Sequence, residues 1–198
     1  MTARRPGFFG GLGRFVRSGV VAIALLATGC EPAPMPYAIT SLAVLPPDVV
    51  PMHGLVGTWV GDDVSDALRE HTLFRIVGAD STRRLIAGPE GLQYYQELVD
   101  EAKTDGAVDP QLASRLANRF NTNGLLLPTL EVAMSGLVDG RASLSFQVFE
   151  PRSGLRVWMD TDERPFRGTQ GDAGFLRLVR EMAADLVNRM PKPEGEAP

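Results

Sequence analysis

The chain has 198 residues, with 20 Lys+Arg against 24 Asp+Glu, two His and one Cys, and it is 44 % apolar and 22 % charged. That is a globular balance and excludes a wholly disordered chain, while one cysteine and two distant histidines exclude a disulfide framework and a Cys-rich zinc site. Residues 1–29 hold four of the bases and no acid, which leaves 16 basic against 24 acidic residues, a net −8, in the rest: a poor general binder of nucleic acid or of anionic headgroups.

The N-terminus has the three parts of a secretory signal. Arg4 to Arg17 form a basic region, and Ser18 to Gly29 is an uncharged run around Val20-Val21-Ala22-Ile23-Ala24-Leu25-Leu26-Ala27. A bilayer span needs roughly 20 apolar residues, so this run is too short to cross and fits a signal core. Arg4-Arg5 is followed by Pro6-Gly7, which does not match a twin-arginine signal, so general secretion is expected. Leu26-Ala27-Thr28-Gly29-Cys30 resembles a bacterial lipobox. The resemblance implies a signal peptide over 1–29 and a lipidated Cys30 at the new N-terminus. Several acyl chains, at about 0.8 kcal/mol per buried CH₂, hold a protein on a membrane stably. Glu31 stands where an Asp favours inner-membrane retention in enterobacteria, so the outer membrane is expected, with the inner membrane as the alternative.

Residues 30–37 read as a lipidated, proline-rich tether and 191–198 as an unstructured tail. Residues 38–190 between them make one domain. Ile39 to Leu45 reads as a strand, and its unbroken apolar stretch Leu42-Ala43-Val44-Leu45 predicts burial on both faces. A loop with Pro51, Gly54 and Gly57 follows. Val56, Val60, Val64, Ala67 and Leu68 then recur at helical spacing as far as His71, and Thr72 to Val77 reads as a second strand. Strand, helix and strand in so short a stretch predict a right-handed parallel crossover.

Pro89 opens a helix with Leu92, Tyr95, Leu98, Val99 and Ala102 on one face, broken at Gly106. Asp109-Pro110 restarts a helix, with Asp as cap and Pro in the first turn; Leu112, Leu116, Ala117 and Phe120 form its stripe, and Asn121 to Gly124 stops it. Leu125 to Met134 is a strand whose internal Pro128 predicts an edge or a bulge. Asp139-Gly140 signals a hairpin turn, and Ala142, Leu144, Phe146 and Val148 alternate with polar residues. Arg152-Ser153-Gly154 turns the chain into a strand from Leu155 to Asp160, and Phe175 to Met190 is the most amphipathic helix. The expected fold is therefore an α/β (α+β) sandwich: a mixed sheet of about five strands with three to four helices, in the order β-α-β-α-α-β-β-β-α.

Several stretches resemble one group of bacterial envelope lipoproteins. They are Ser41-Leu42-Ala43-Val44-Leu45-Pro46, Val64-Ser65-Asp66-Ala67-Leu68 with Phe74-Arg75-Ile76-Val77, Asn123-Gly124-Leu125-Leu126-Leu127, and Phe149-Glu150-Pro151-Arg152-Ser153-Gly154-Leu155-Arg156-Val157-Trp158. In order they look like the first strand, the "helix, then F-x-V" segment, the "Gly-Ala-Asp" strand and the "D-x-x-T-G-x-x-x-W" hairpin of that group. The group includes the curli-secretion-channel lipoprotein, an outer-membrane activator of a penicillin-binding protein, and the N-terminal domain of the Tol-system propeller protein. Here the usual acid is missing at Asn123-Gly124, and Glu150 stands for Asp. Over about residues 39–190 the resemblance implies a periplasmic, non-enzymatic module that binds other envelope proteins. The short connections at Gly136–Gly140 and Arg152–Gly154 disfavour a secretion pore.

Little else points to chemistry. Gly54, Gly57 and Gly61 precede no phosphate-loop Lys, and Asp62 and Asp63 follow them. His53 and His71 lack any motif, and a hydrolase would need a pocket that brings one of them beside a nucleophile. Asp160, Asp162 and Glu163 lack the spacing of a calcium loop. No catalytic residue, metal or cofactor beyond the lipid on Cys30 is expected, and neither is a nucleic-acid or small-molecule partner. Trp59, Tyr94, Tyr95 and Trp158 are the candidate anchors for a protein partner, with core packing as the alternative. The second functional reading is an oligomeric component of an outer-membrane export or assembly complex.

Overall fold

Leu42-Ala43-Val44-Leu45 is buried completely, because strand β1 (Ser41–Val44) lies in the middle of a sheet with helices on both faces. Leu42 and Val44 join one core cluster, Ala43 and Leu45 the other. The structure is a computed structural model and describes residues 38–50, 54–104, 106–135, 139–167 and 171–192. The expected signal at 1–29, the whole tether 30–37 with Cys30, His53 and most of the tail therefore lie outside the described residues.

β1 pairs in parallel with β3 (Arg75–Val77) on one side and β4 (Leu125–Met134) on the other. β4 continues antiparallel to β5 (Asp139–Phe149), and β5 to β6 (Arg156–Arg167). The order is β3-β1-β4-β5-β6, and β2 (Asp48–Val50) pairs with β4 beyond the end of β1. Helices α1 (Gly54–His71) and α5 (Gly171–Arg189) cover one face; α3 (Pro89–Thr104) and α4 (Pro110–Phe120) cover part of the other. The short α2 (Ala79–Ile86) supplies Ala79 to the first cluster and Ile86 to the second. The mixed α/β sandwich and its antiparallel meander are as the sequence predicts.

Several details differ. β2 and α2 bring the described elements to six strands and five helices. α2 has no side-chain cap of its own; the amide of Ala79 donates to Ser65 Oγ at 3.0 Å, and Thr82 Oγ1 donates to the Val44 carbonyl at 2.6 Å. Its start is thus satisfied from α1, which no local pattern shows. Pro128 sits in a central strand. The carbonyls of Gly124 and Leu126 accept from Ala43 and Leu45, so position 128 turns its missing N–H to the same side. β1 has ended there and β2 has not begun, so no ladder bond is lost. Gly54 and Gly61 lie within α1 itself, where a Cβ on Gly61 would meet Ala79 Cβ at 2.7 Å.

β6 runs seven residues past Asp160. Its α5-facing positions are ionic where the other strands are apolar. Asp160 pairs with Arg189 at 2.8 Å, and Arg164 joins Asp162 to Asp185. Phe166 then meets Phe175 edge-on at 5.2 Å between ring centroids. Asp139 and Gly140 open β5 and are not the centre of the turn; a Cβ on Gly140 would strike the Phe166 ring at 2.6 Å.

Candidate functional site

Strand directions give the domain two ends. β1, β2, β4 and β6 run one way and β5 the other, so the start of β1 shares an end with the β5–β6 turn. That end is also where the chain enters from Cys30. It is closed by Asn123, whose Oδ1 accepts from Thr40 N (3.1 Å), Ser41 N (2.9 Å) and Ser41 Oγ (2.9 Å), while Nδ2 donates to the Ala38 carbonyl at 2.8 Å. In the sequence Asn123 stands out only as a departure from a motif; the staple depends on contacts some 80 residues apart.

A cleft of about 410 Å³ opens beside this staple, lined by Ala38, Ile39, Asn123, Glu150 and Arg152. Burial alone would raise the Glu150 pKa. The hydroxyl and amide of Ser153, and the amide and charge of Arg152, outweigh it and hold the carboxyl below its ordinary value. Glu150 therefore stays ionised as the clasp of its own turn, accepting from the amides of Arg152 and Ser153 at 3.0 and 2.7 Å.

A second exposed feature lies elsewhere on the sheet. α3 and α4 cover Leu125, Leu127 and Phe149 but stop short of the far half of the same face. There Glu131 and Ala133 of β4, Arg141 of β5, and Met159, Thr161 and Pro165 of β6 are exposed. Val50 at the end of β2 is 44 % exposed beside them and Met159 is 47 % exposed. β6 itself, about 40 Å long at 3.3 Å per residue, forms the outer edge. Among the described residues no strand pairs with its free side.

The four aromatic candidates do not converge. Tyr95 packs on the second core cluster and donates from its hydroxyl to the Pro46 carbonyl at 2.8 Å; burial and the charge of Asp48 raise its pKa. Tyr94 packs against the same cluster, with the Arg115 guanidinium 5.5 Å from its ring centre. Trp158 is half-buried against the α5 side of the sheet. Only Trp59 among them is exposed, on α1. The other candidates are similarly dispersed. His71 ends α1 beside a cavity of about 180 Å³, where the Thr72 hydroxyl is committed to the Leu68 carbonyl at 2.6 Å. Asp160, Asp162 and Glu163 alternate along β6, and each meets an arginine.

No family model matches this chain, and no curated protein does. Among solved structures it is similar to the PelC dodecamer from Paraburkholderia phytofirmans. In one crystal form the TM-score is 0.51 at 12 % identity, covering 81 % of this chain and 94 % of that one. In another crystal form, of a point variant of the same protein, the TM-score is 0.50 at 14 % identity, covering 80 % and 93 %. Lipoprotein GNA1162 from Neisseria meningitidis follows at a TM-score of 0.49 and 14 % identity, covering 76 % and 99 %. The chain thus shares its fold with PelC, over almost the whole of that protein.

Proposed function

We propose that this chain is a lipid-anchored, non-enzymatic module of the bacterial envelope, held on the periplasmic face of the outer membrane through Cys30, that docks other envelope proteins. The observation that carries the docking is the open β6 edge with the bare half-face beside it. A free edge offers a ladder of backbone donors and acceptors, and strand addition is a standard way to recognise a partner. The apolar spots Val50 and Met159 give that surface something to bury. The lipobox supports the anchor. A second reading, an oligomeric component of an export or assembly complex, is favoured by one fact: the PelC proteins that share the fold are dodecamers.

Light scattering on the lipoprotein extracted in mild detergent separates the two. A monomer that crosslinks to a protein of another mass supports the docking module, and a discrete multiple of the chain mass supports the second reading. In either case Met159→Lys with Thr161→Lys is expected to abolish the association. Both side chains are exposed, so the unfolding free energy stays within about 0.5 kcal/mol of wild type per substitution. An association that survives this double substitution contradicts the assignment to the β6 face.

A further inference from the structure

Residues 30–198 carry a net −8, yet the fold gathers one basic cluster that residue order does not show. At the end where the chain enters, three arginines from separate segments come together: Arg75 opens β3, Arg119 lies in the last turn of α4, and Arg152 sits in the β5–β6 turn. Arg75 reaches the Asn121 carbonyl at the end of α4, and Arg152 lines the cleft with Ala38. All three are exposed. Among the described residues none of the three forms an ion pair, as is also true of Arg115, Arg156, Arg167 and Arg177; what sets them apart is that one end of the fold gathers all three. Glu150 of the same turn couples to the charge of Arg152, while its oxygens accept from the amides of Arg152 and Ser153 and from the Ser153 hydroxyl. At the far end of the sheet charge is mixed: Glu131, Asp139 and Glu163 lie on the bare face and its turn with Arg141, which pairs with Glu163, and Arg167, which stands opposite Asp139.

We infer that this basic pole rests on anionic phospholipid headgroups of the membrane that carries the anchor. The inference stands on the lipidation of Cys30 proposed above. Eight residues separate Cys30 from Ala38, so even a fully extended chain keeps the pole within about 29 Å of the acylated residue. The acidic domain would not find such a surface unaided, because its net charge is repelled. Tethering removes that obstacle by supplying a high local concentration, and the attraction then acts over a Debye length of about 8 Å, within which the pole alone counts. Each basic residue close to an anionic surface multiplies occupancy about fivefold. The consequence is an orientation. The strands stand off the membrane, and the bare β4–β5–β6 face projects into the periplasm.

The test uses the mature lipoprotein reconstituted into vesicles of phosphatidylcholine alone and of phosphatidylcholine with phosphatidylglycerol. Amide hydrogen exchange is read at residues 119–123 and 150–153. Flotation with both vesicle types reports the anchor independently of the pole. The expected result is exchange at the pole slowed about tenfold or more on the anionic vesicles only. That protection is lost in high salt and in Arg119→Glu with Arg152→Glu, but kept in the equal charge change Arg167→Glu with Arg177→Glu at the other end. Equal exchange on the two lipids, with the protein floating on both, overturns the inference and leaves the anchor standing. Failure to float on either overturns the anchor, and the inference with it. Circular dichroism on both double variants confirms the fold in which the comparison is made.

Discussion

Gly154→Ala is expected to lower the stability of the domain by about 3 kcal/mol, read as a shift of the urea unfolding midpoint. Gly154 has φ +70°, a conformation that costs an ordinary L-residue about 1–2 kcal/mol. The space around it is closed as well. A Cβ at this position would lie 1.9 Å from the Val108 carbonyl oxygen. That oxygen cannot swing away cheaply, because the same segment is clamped: Val108 N donates to the Gly154 carbonyl at 2.8 Å, and Gly154 N to the Glu150 carbonyl at 2.9 Å. Relief would therefore displace the segment that leads into α4. Asn tolerates positive φ but also carries a Cβ, so Gly154→Asn is expected to cost nearly as much as Gly154→Ala. An asparagine variant close to wild type would show that φ alone matters and that the contact with Val108 does not.

Asn123→Ala is expected to cost about 3 kcal/mol and to loosen the chain where it enters the domain. The substitution removes four hydrogen bonds that span more than 80 residues of sequence. A bond of this kind contributes about 1 kcal/mol net, and the abandoned amides of Thr40 and Ser41 add to the cost where water reaches them poorly. Asn123→Asp keeps the three acceptor bonds but sets a carboxylate oxygen against the Ala38 carbonyl in place of the donor, so it should cost about 1–2 kcal/mol. The ranking Ala well below Asp, measured by thermal unfolding, is the discriminating result. Hydrogen exchange at Thr40 and Ser41 should rise in Asn123→Ala before the rest of β1 is affected. Equal losses for the two substitutions would mean that the carbonyl of Asn123 is not the staple.

Much of this architecture is readable from residue order because each large element carries its own period. Leu42-Ala43-Val44-Leu45 announces a strand buried on both sides, and Asp109-Pro110 announces α4, whose cap accepts from Gln111 and Leu112. The alternation from Ala142 to Val148 gives β5 and its buried face. What is not readable depends on partners distant in sequence. α2 starts on a serine from α1, and β2 exists only because β4 runs on past β1. β6 reads as polar along its inward side because Asp160 is met by Arg189 of α5, and Arg164 by Asp162 of the same strand and Asp185 of α5. Pro128 misleads for the same reason: the missing donor faces a gap between two other strands.

The candidate site is less legible than the fold. Tyr94, Tyr95 and Trp158 are aromatic residues in which packing and docking look alike in sequence, and the structure packs all three at least in part against a core. The bare face of β4–β5–β6 leaves almost no compositional mark, since Ser143, Ser145 and Thr161 suit any exposed strand. The basic pole is invisible in a chain that is acidic on average, because Arg75, Arg119 and Arg152 are widely separated until β3, α4 and the β5–β6 turn bring them to one end.

The account as a whole depends on the acyl anchor. The most direct measurement is the intact mass, with N-terminal peptide mapping, of the protein purified from the membrane fraction. The account predicts a chain that begins at Cys30 and carries diacylglyceryl and acyl mass on that residue, and for Cys30→Ser an uncleaved, unacylated precursor. Wild-type protein found in the soluble fraction with the leader attached and Cys30 as a free thiol would contradict it.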